Sequence, residues 1–231
     1  MRRPACFGYN SVSMAEAPHA LPRDHGERGS VPLGSDLLGS DLLGSDLLGS
    51  ELGRTLTRVP RSARWVLPVF AAAFRGTEVS TLEPRLRALA LLRVAAIDRS
   101  PYWREQHEAA APALGITRDE LDLVASDEWE TAPAFGDRER AAILWADRVA
   151  RRLGRRDAVA YRTVREHLDE RELVELTAAV SLACMADRLT NALRIAPEPP
   201  TGLSPGGHPV DESLARWSRE MFDRLPVGGM P

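Results

Sequence analysis

His107 is the residue best suited to chemistry in this chain. It closes the segment Ser100-Pro-Tyr-Trp-Arg-Glu-Gln-His107, four positions after Trp103. An imidazole titrates near neutrality and can move a proton at a substrate. Residues four apart share one face of a helix, so Trp103 and His107 are expected to touch. The residues leave two roles open for this pair: proton transfer beside an indole wall, or a satisfied, partly buried histidine packed by a large aromatic side chain. Ser100 opens the same segment, but a serine nucleophile needs a base within hydrogen-bond reach. His107 lies two turns further on, about 10 Å along the axis. With Pro101 behind it, Ser100 reads first as a helix cap. Tyr102, Glu105 and Glu108 stand near enough in sequence to assist His107, and the two glutamates are expected at the surface.

Cys6 and Cys184 are the only cysteines, and neither has a partner at metal or redox spacing. A disulfide framework and a zinc site are therefore not expected. Cys184 sits in an apolar stretch, where burial raises a thiol's pKa and quenches it as a nucleophile. His19, His25 and His208 fall in loops or tails, and His167 ends a helix, where a cation complements the dipole. None makes a metal-ligand spacing, so neither a metal nor a cofactor is expected. There is no glycine-rich phosphate loop, nucleophile elbow or basic-aromatic pattern.

The elements that must hold these residues read as helices throughout. Ser62 to Arg75 comes first, kinked or split at Pro68. Glu83 to Asp98 follows with a wide apolar face. Ser100-Pro101 starts a helix that reaches about Leu114 and is stopped by Gly115. Thr117 to Glu120 forms a capping box, with Ile116 and Leu121 as the hydrophobic staple. Helices then run from Asp137 to about Leu153, from Asp157 to His167, and from Glu170 to about Ile195, the last started by Asp169 with Glu172. This last helix is nearly apolar from Leu173 to Met185, which predicts a place at the bundle centre or in a subunit contact. No strand is predicted. Among polar residues in apolar helices, Arg93, Asp147, Asp187, Arg188 and Asn191 could line a pocket or form ion pairs that fix helix register, and Asp147 with Arg188 is the expected pair.

Composition fits a globular domain with tails, with 44% hydrophobic and 27% charged residues. Thirty basic side chains against 33 acidic ones give a net charge of -3, which supplies no attraction to nucleic acid or an anionic membrane. No apolar run approaches the ~20 residues needed to cross a bilayer, so a cytoplasmic protein is expected. Residues 1–53 carry the repeat Gly-Ser-Asp-Leu-Leu from Gly34, Gly39 and Gly44. They read as a disordered tail that can be removed without loss of the fold. Residues 54–196 form the helical domain. Residues 197–231 form a Pro/Gly linker and a last amphipathic helix over Asp211 to Arg224.

The helix order, with Leu86-Arg-Ala-Leu-Ala-Leu-Leu-Arg-Val-Ala-Ala, Trp145-Ala-Asp and Asp187-Arg-Leu-Thr-Asn-Ala-Leu, resembles the carboxymuconolactone decarboxylase and alkyl hydroperoxidase D-like family over Leu82 to Ile195. The resemblance implies an all-α helical bundle that forms homo-oligomers with small pockets near subunit contacts. In the family's peroxidases a Cys-x-x-Cys-x-x-x-His motif falls on Ser100, Trp103 and His107, and a relay glutamate falls on Ala88. Only the histidine is retained. Thiol peroxidase activity is therefore expected to be lost, with Trp103 filling the place of the second cysteine. The family's lactone decarboxylases also lack the cysteine pair and keep a histidine here. That implies an enzyme with His107 as the proton-transfer residue and Trp103, Tyr102 and Ser100 as substrate contacts for a small organic molecule. These decarboxylases carry acidic residues just ahead of the histidine, where this chain has Arg99, Ser100, Pro101 and Tyr102, so the substrate does not carry over. The alternative is a non-catalytic oligomeric binding or assembly module on the same fold.

Overall fold

A 14-residue helix, α2 (Pro84–Ile97), runs through the middle of the domain, and every residue from Leu86 to Ala95 is buried. An ordinary surface helix shows one apolar stripe; this one must be covered all round. The computed structural model describes residues 50–56, 58, 59, 66, 69, 70, 72–74 and 80–199, all within the unit Pro32–Pro231. Around α2 stand α1 (Glu51–Leu56), α3 (Pro101–Ala110), α4 (Arg118–Ala125), α5 (Asp137–Ala150), α6 (Ala158–His167) and α7 (Glu170–Leu193). Short 3-10 turns at Ala111–Leu114 and Glu128–Glu130 complete the set, and no strand occurs among the described residues. The expected helix over Asp211 to Arg224 lies outside them.

Two of the predicted start signals operate as read. Thr117 and Asp169 each accept from the backbone N–H three residues on, and Glu120 and Glu172 reach back to complete both capping boxes. The helix expected from Ser100 to Leu114 changes to a 3-10 turn at Ala111 and ends at Gly115, whose φ of 67° is one a side chain would strain. Val66, Phe70 and Phe74 are helical, as expected between Ser62 and Arg75.

α2 divides the interior into two clusters. Leu86, Ala90 and Val94 join Leu52, Phe70, Phe74, Trp103, Leu176 and Val180. Ala88, Leu89 and Leu92 join Trp129, Phe135 and Ile143. The central helix is thus α2 and not α7, whose Val174 and Met185 are 65% and 44% exposed. The apolar content of α7 predicts the bundle centre or a subunit contact; the first does not hold, because one of its faces lies open in the single chain.

One expected ion pair is corrected. Asp147 does not pair with Arg188. Its Oδ1 accepts from Arg93 Nε at 2.9 Å and Nη2 at 2.6 Å, both side chains being 3% exposed. Arg148 and Arg151 complete its shell at 2.6 and 3.0 Å. Arg188 instead points outward, its Nε 4.0 Å from Asp98. Asp147 lies in the helix facing α2, so a partner on α2 reaches it where one on α7 does not.

The packed chain also begins before residue 54. Leu52 is fully buried and Ser50 caps the first turn through its Oγ, 2.9 Å from Gly53 N. Glu51 N donates to the Glu198 carboxylate at 2.8 Å, so the segment after α7 is tied to α1. A chain starting at Ser50 should keep full stability. One starting at Arg54 should lose about 1.5–3 kcal/mol, the value of one buried leucine. Urea midpoints of the two truncations compare them directly, and equal midpoints would show that Leu52 is not a core residue.

Candidate functional site

The buried face of α3 carries Tyr102, Trp103, Gln106 and His107. This is the i, i+1, i+4, i+5 pattern of a helix pressed against a core. All four predicted site residues are therefore close together, and all are inside: Ser100 is 1% exposed, Tyr102 0%, Trp103 1% and His107 2%.

Trp103 is the hub. Its indole stacks on the His107 ring at 5.7 Å and an interplanar angle of 28°. It meets Phe74 at 4.6 Å, Phe70 at 6.4 Å and Tyr102 at 5.1 Å. Phe74 also stands edge-on to His107 at 5.8 Å. Such contacts add about 0.5–1.5 kcal/mol each beyond area burial. Neither Trp103 Nε1 nor His107 Nδ1 has a hydrogen-bond partner among the described residues. Burial alone pushes the imidazole down to a pKa of about 3, so it is neutral at physiological pH.

Tyr102 and Gln106 face the segment that follows α7. The phenol donates to Glu198 Oε1 at 2.7 Å, and Gln106 Nε2 donates to the Glu198 carbonyl at 2.8 Å. Tyr102, expected as a substrate contact, holds the outgoing chain across α3 together with Gln106. Glu105 is exposed as predicted, and Glu108 pairs with Arg104 at 2.6 Å.

Ser100 occupies the N-cap position of α3 but makes no side-chain cap bond. The expected cap is absent because its hydroxyl is turned to Asp187 on α7, where it lowers that carboxyl's pKa. The contact falls short of full hydrogen-bond geometry, and Ser100 Oγ, Asp187 Oδ2 and Asp98 Oδ2 are all buried without a hydrogen-bond partner among the described residues. Desolvation dominates at Asp187, with Asp98 adding repulsion, and together they push it up to about 8. Cys184, one turn earlier on α7, is raised to about 11, first by burial and then by Asp98. A thiol so shifted carries almost no thiolate at neutral pH.

Sequence reasoning marked Asp187 only as a polar residue in an apolar helix, and it missed Phe70 and Phe74 as the walls of the histidine site. The aromatic spacing of four was a usable signal for the walls. The Ser100–Asp187 approach, 87 residues apart, had none.

No helix among the described residues is long and apolar enough to cross a membrane. No cluster of histidine, cysteine, aspartate or glutamate among them is arranged to hold a metal ion.

A helical bundle with this order is an alkyl hydroperoxidase D-like fold. Residues 60–148 match the model of the carboxymuconolactone decarboxylase family. The fold is similar to the crystal structure of a protein of unknown function from Agrobacterium tumefaciens, described as a candidate AhpD antioxidant-defence protein. That likeness has a TM-score of 0.56 at 21% identity, covering 62% of this chain and 95% of the other. No curated protein matches the chain.

Proposed function

We propose that this protein is a non-catalytic member of the carboxymuconolactone decarboxylase family, a helical binding or assembly module in which the reactive site has become core. One observation carries the reading: His107 is 2% exposed, stacked under Trp103 and edged by Phe74. A general acid or base must come within about 3 Å of the proton it moves, directly or through one water. It must also change charge near the working pH, and a group held neutral down to about 3 does not.

Burial of Cys184 with its thiol raised to about 11 supports loss of thiol peroxidase activity in this part of the chain. Homo-oligomer formation is part of the proposal and has the open face of α7, with Val174 and Met185, as its support. Proton transfer by His107 on a small organic substrate is the weaker reading, because Phe74 and Trp103 would first have to part.

The test is an NMR pH titration of the imidazole. The His107 ring signals should stay constant from pH 8 to pH 4.5. A midpoint between 6 and 7 would mean that the ring meets solvent, and would restore the proton-transfer reading.

A further inference from the structure

Arg87 stands apart from the aromatic site, and its guanidinium is incompletely used. The residue is 3% exposed, sits within the central helix and lines a crevice of about 380 Å³. The crevice is walled by Val69, Ala72, Ala178, Ala179 and Leu182. Nη2 donates to Ser80 Oγ at 2.5 Å and pairs with Glu175 Oε1. Among the described residues, Nε is buried without a hydrogen-bond partner and Nη1 makes no hydrogen bond. A buried guanidinium has five N–H donors to satisfy, and leaving them unmade costs more than a typical hydrogen bond returns.

Glu175 does not meet that need, because its carboxylate is already shared among several donors. It accepts from Thr81 N at 2.9 Å, Thr81 Oγ1 at 3.2 Å and Leu82 N at 3.1 Å, and also from Ser80 Oγ. These amides lie just ahead of the first turn of α2, where the helix dipole favours negative charge. Glu175 is thus anchored to the start of α2. Arg87 keeps spare donors at the end of an apolar slot.

We propose that this crevice is a binding site for a small organic carboxylate with an apolar body, its carboxylate on Arg87 and its chain along the alanine-lined wall of α7. The guanidinium fork matches a carboxylate in shape and charge, and desolvation strengthens the pairing. The row of Ala178, Ala179 and Ala72 leaves the volume open. The crevice shares no residue with the Trp103–His107 cluster, so the inference does not depend on whether that cluster is catalytic.

Octanoate is the probe, with octanol as its uncharged counterpart, titrated by calorimetry into the full chain. Octanoate should bind saturably, one per chain, and at least tenfold more tightly than octanol. Ala178→Trp fills the slot from its exposed side while Arg87 itself is unchanged, and should weaken octanoate at least tenfold. Arg87→Gln should abolish the preference for octanoate over octanol. Should that variant fail to fold, the Arg87 Nε–H resonance of the wild-type chain still reports, and it should shift on octanoate addition and stay fixed in Ala178→Trp. Absence of saturable binding, equal affinity for octanol, or undiminished binding by Ala178→Trp would each overturn the proposal.

Discussion

Asp187→Asn raises stability at pH 8 and changes it little at pH 4. The unfolded carboxyl releases its proton near 3.8, whereas the folded one keeps it until about pH 8 because burial disfavours the charge. Between those values the folded chain binds more protons than the unfolded chain, so stability falls as pH rises, by about 1.4 kcal/mol per unit. Across the whole window the loss is on the order of 5 kcal/mol, and an amide of the same shape does not suffer it. The groups facing Asp187 act with and against this trend: Asp98 raises it, while Ser100 and Arg188 lower it. His107 contributes the opposite slope, since its folded pKa of about 3 lies below the ordinary 6.5 and unfolding takes up a proton between them. The wild-type chain should therefore hold nearly constant stability from pH 4 to 6.5 and lose it from 6.5 to 8. The Asp187→Asn chain should instead gain stability up to pH 6.5 and then level off. Urea midpoints across that range distinguish the two curves, and parallel curves would mean that Asp187 ionises normally in the folded chain.

Arg93→Met is the most damaging single change expected away from the aromatic cluster. The Arg93 guanidinium donates to Asp147 twice, to the carbonyls of Val124 and Ser126 at 3.0 and 2.6 Å, and to Asp127 Oδ1 at 2.8 Å. It also lies over the Trp129 ring, 5.6 Å from the centroid. Removing it strands the buried Val124 carbonyl and the half-buried Ser126 carbonyl, and strips Asp147 of its buried partner. Breaking one side of such a pair costs about 3–5 kcal/mol. Arg93→Met combined with Asp147→Leu should recover part of the loss, because no unpaired carboxylate is then left at that place in the interior. Charge reversal at Arg188, 51% exposed and 4.0 Å from Asp98, should stay within about 1 kcal/mol. Equilibrium unfolding of the three variants ranks them, and a large effect at Arg188 with none at Arg93 would reverse the assignment of the buried pair.

The bundle was legible in the sequence because its signals are local. Capping pairs such as Thr117 with Glu120, the proline after Ser100 and the glycine after Leu114 act within one turn, where spacing alone fixes which groups can meet. Spacing also placed Trp103 against His107. The sequence could not rank α2 above α7 as the central helix, since both read as apolar and which one is enclosed depends on what surrounds it.

Long-range partners belong to the tertiary structure. Arg93 finds Asp147 54 residues away and Ser100 meets Asp187 across the bundle, and a residue's type does not say which of several opposite charges or hydroxyls will face it. The fate of His107 was decided in the same way. By itself the sequence determined that this histidine would lie under a tryptophan on one helical face. Only the packing of Phe70 and Phe74 onto that pair closed it from water, and the loss of hydration sets its charge.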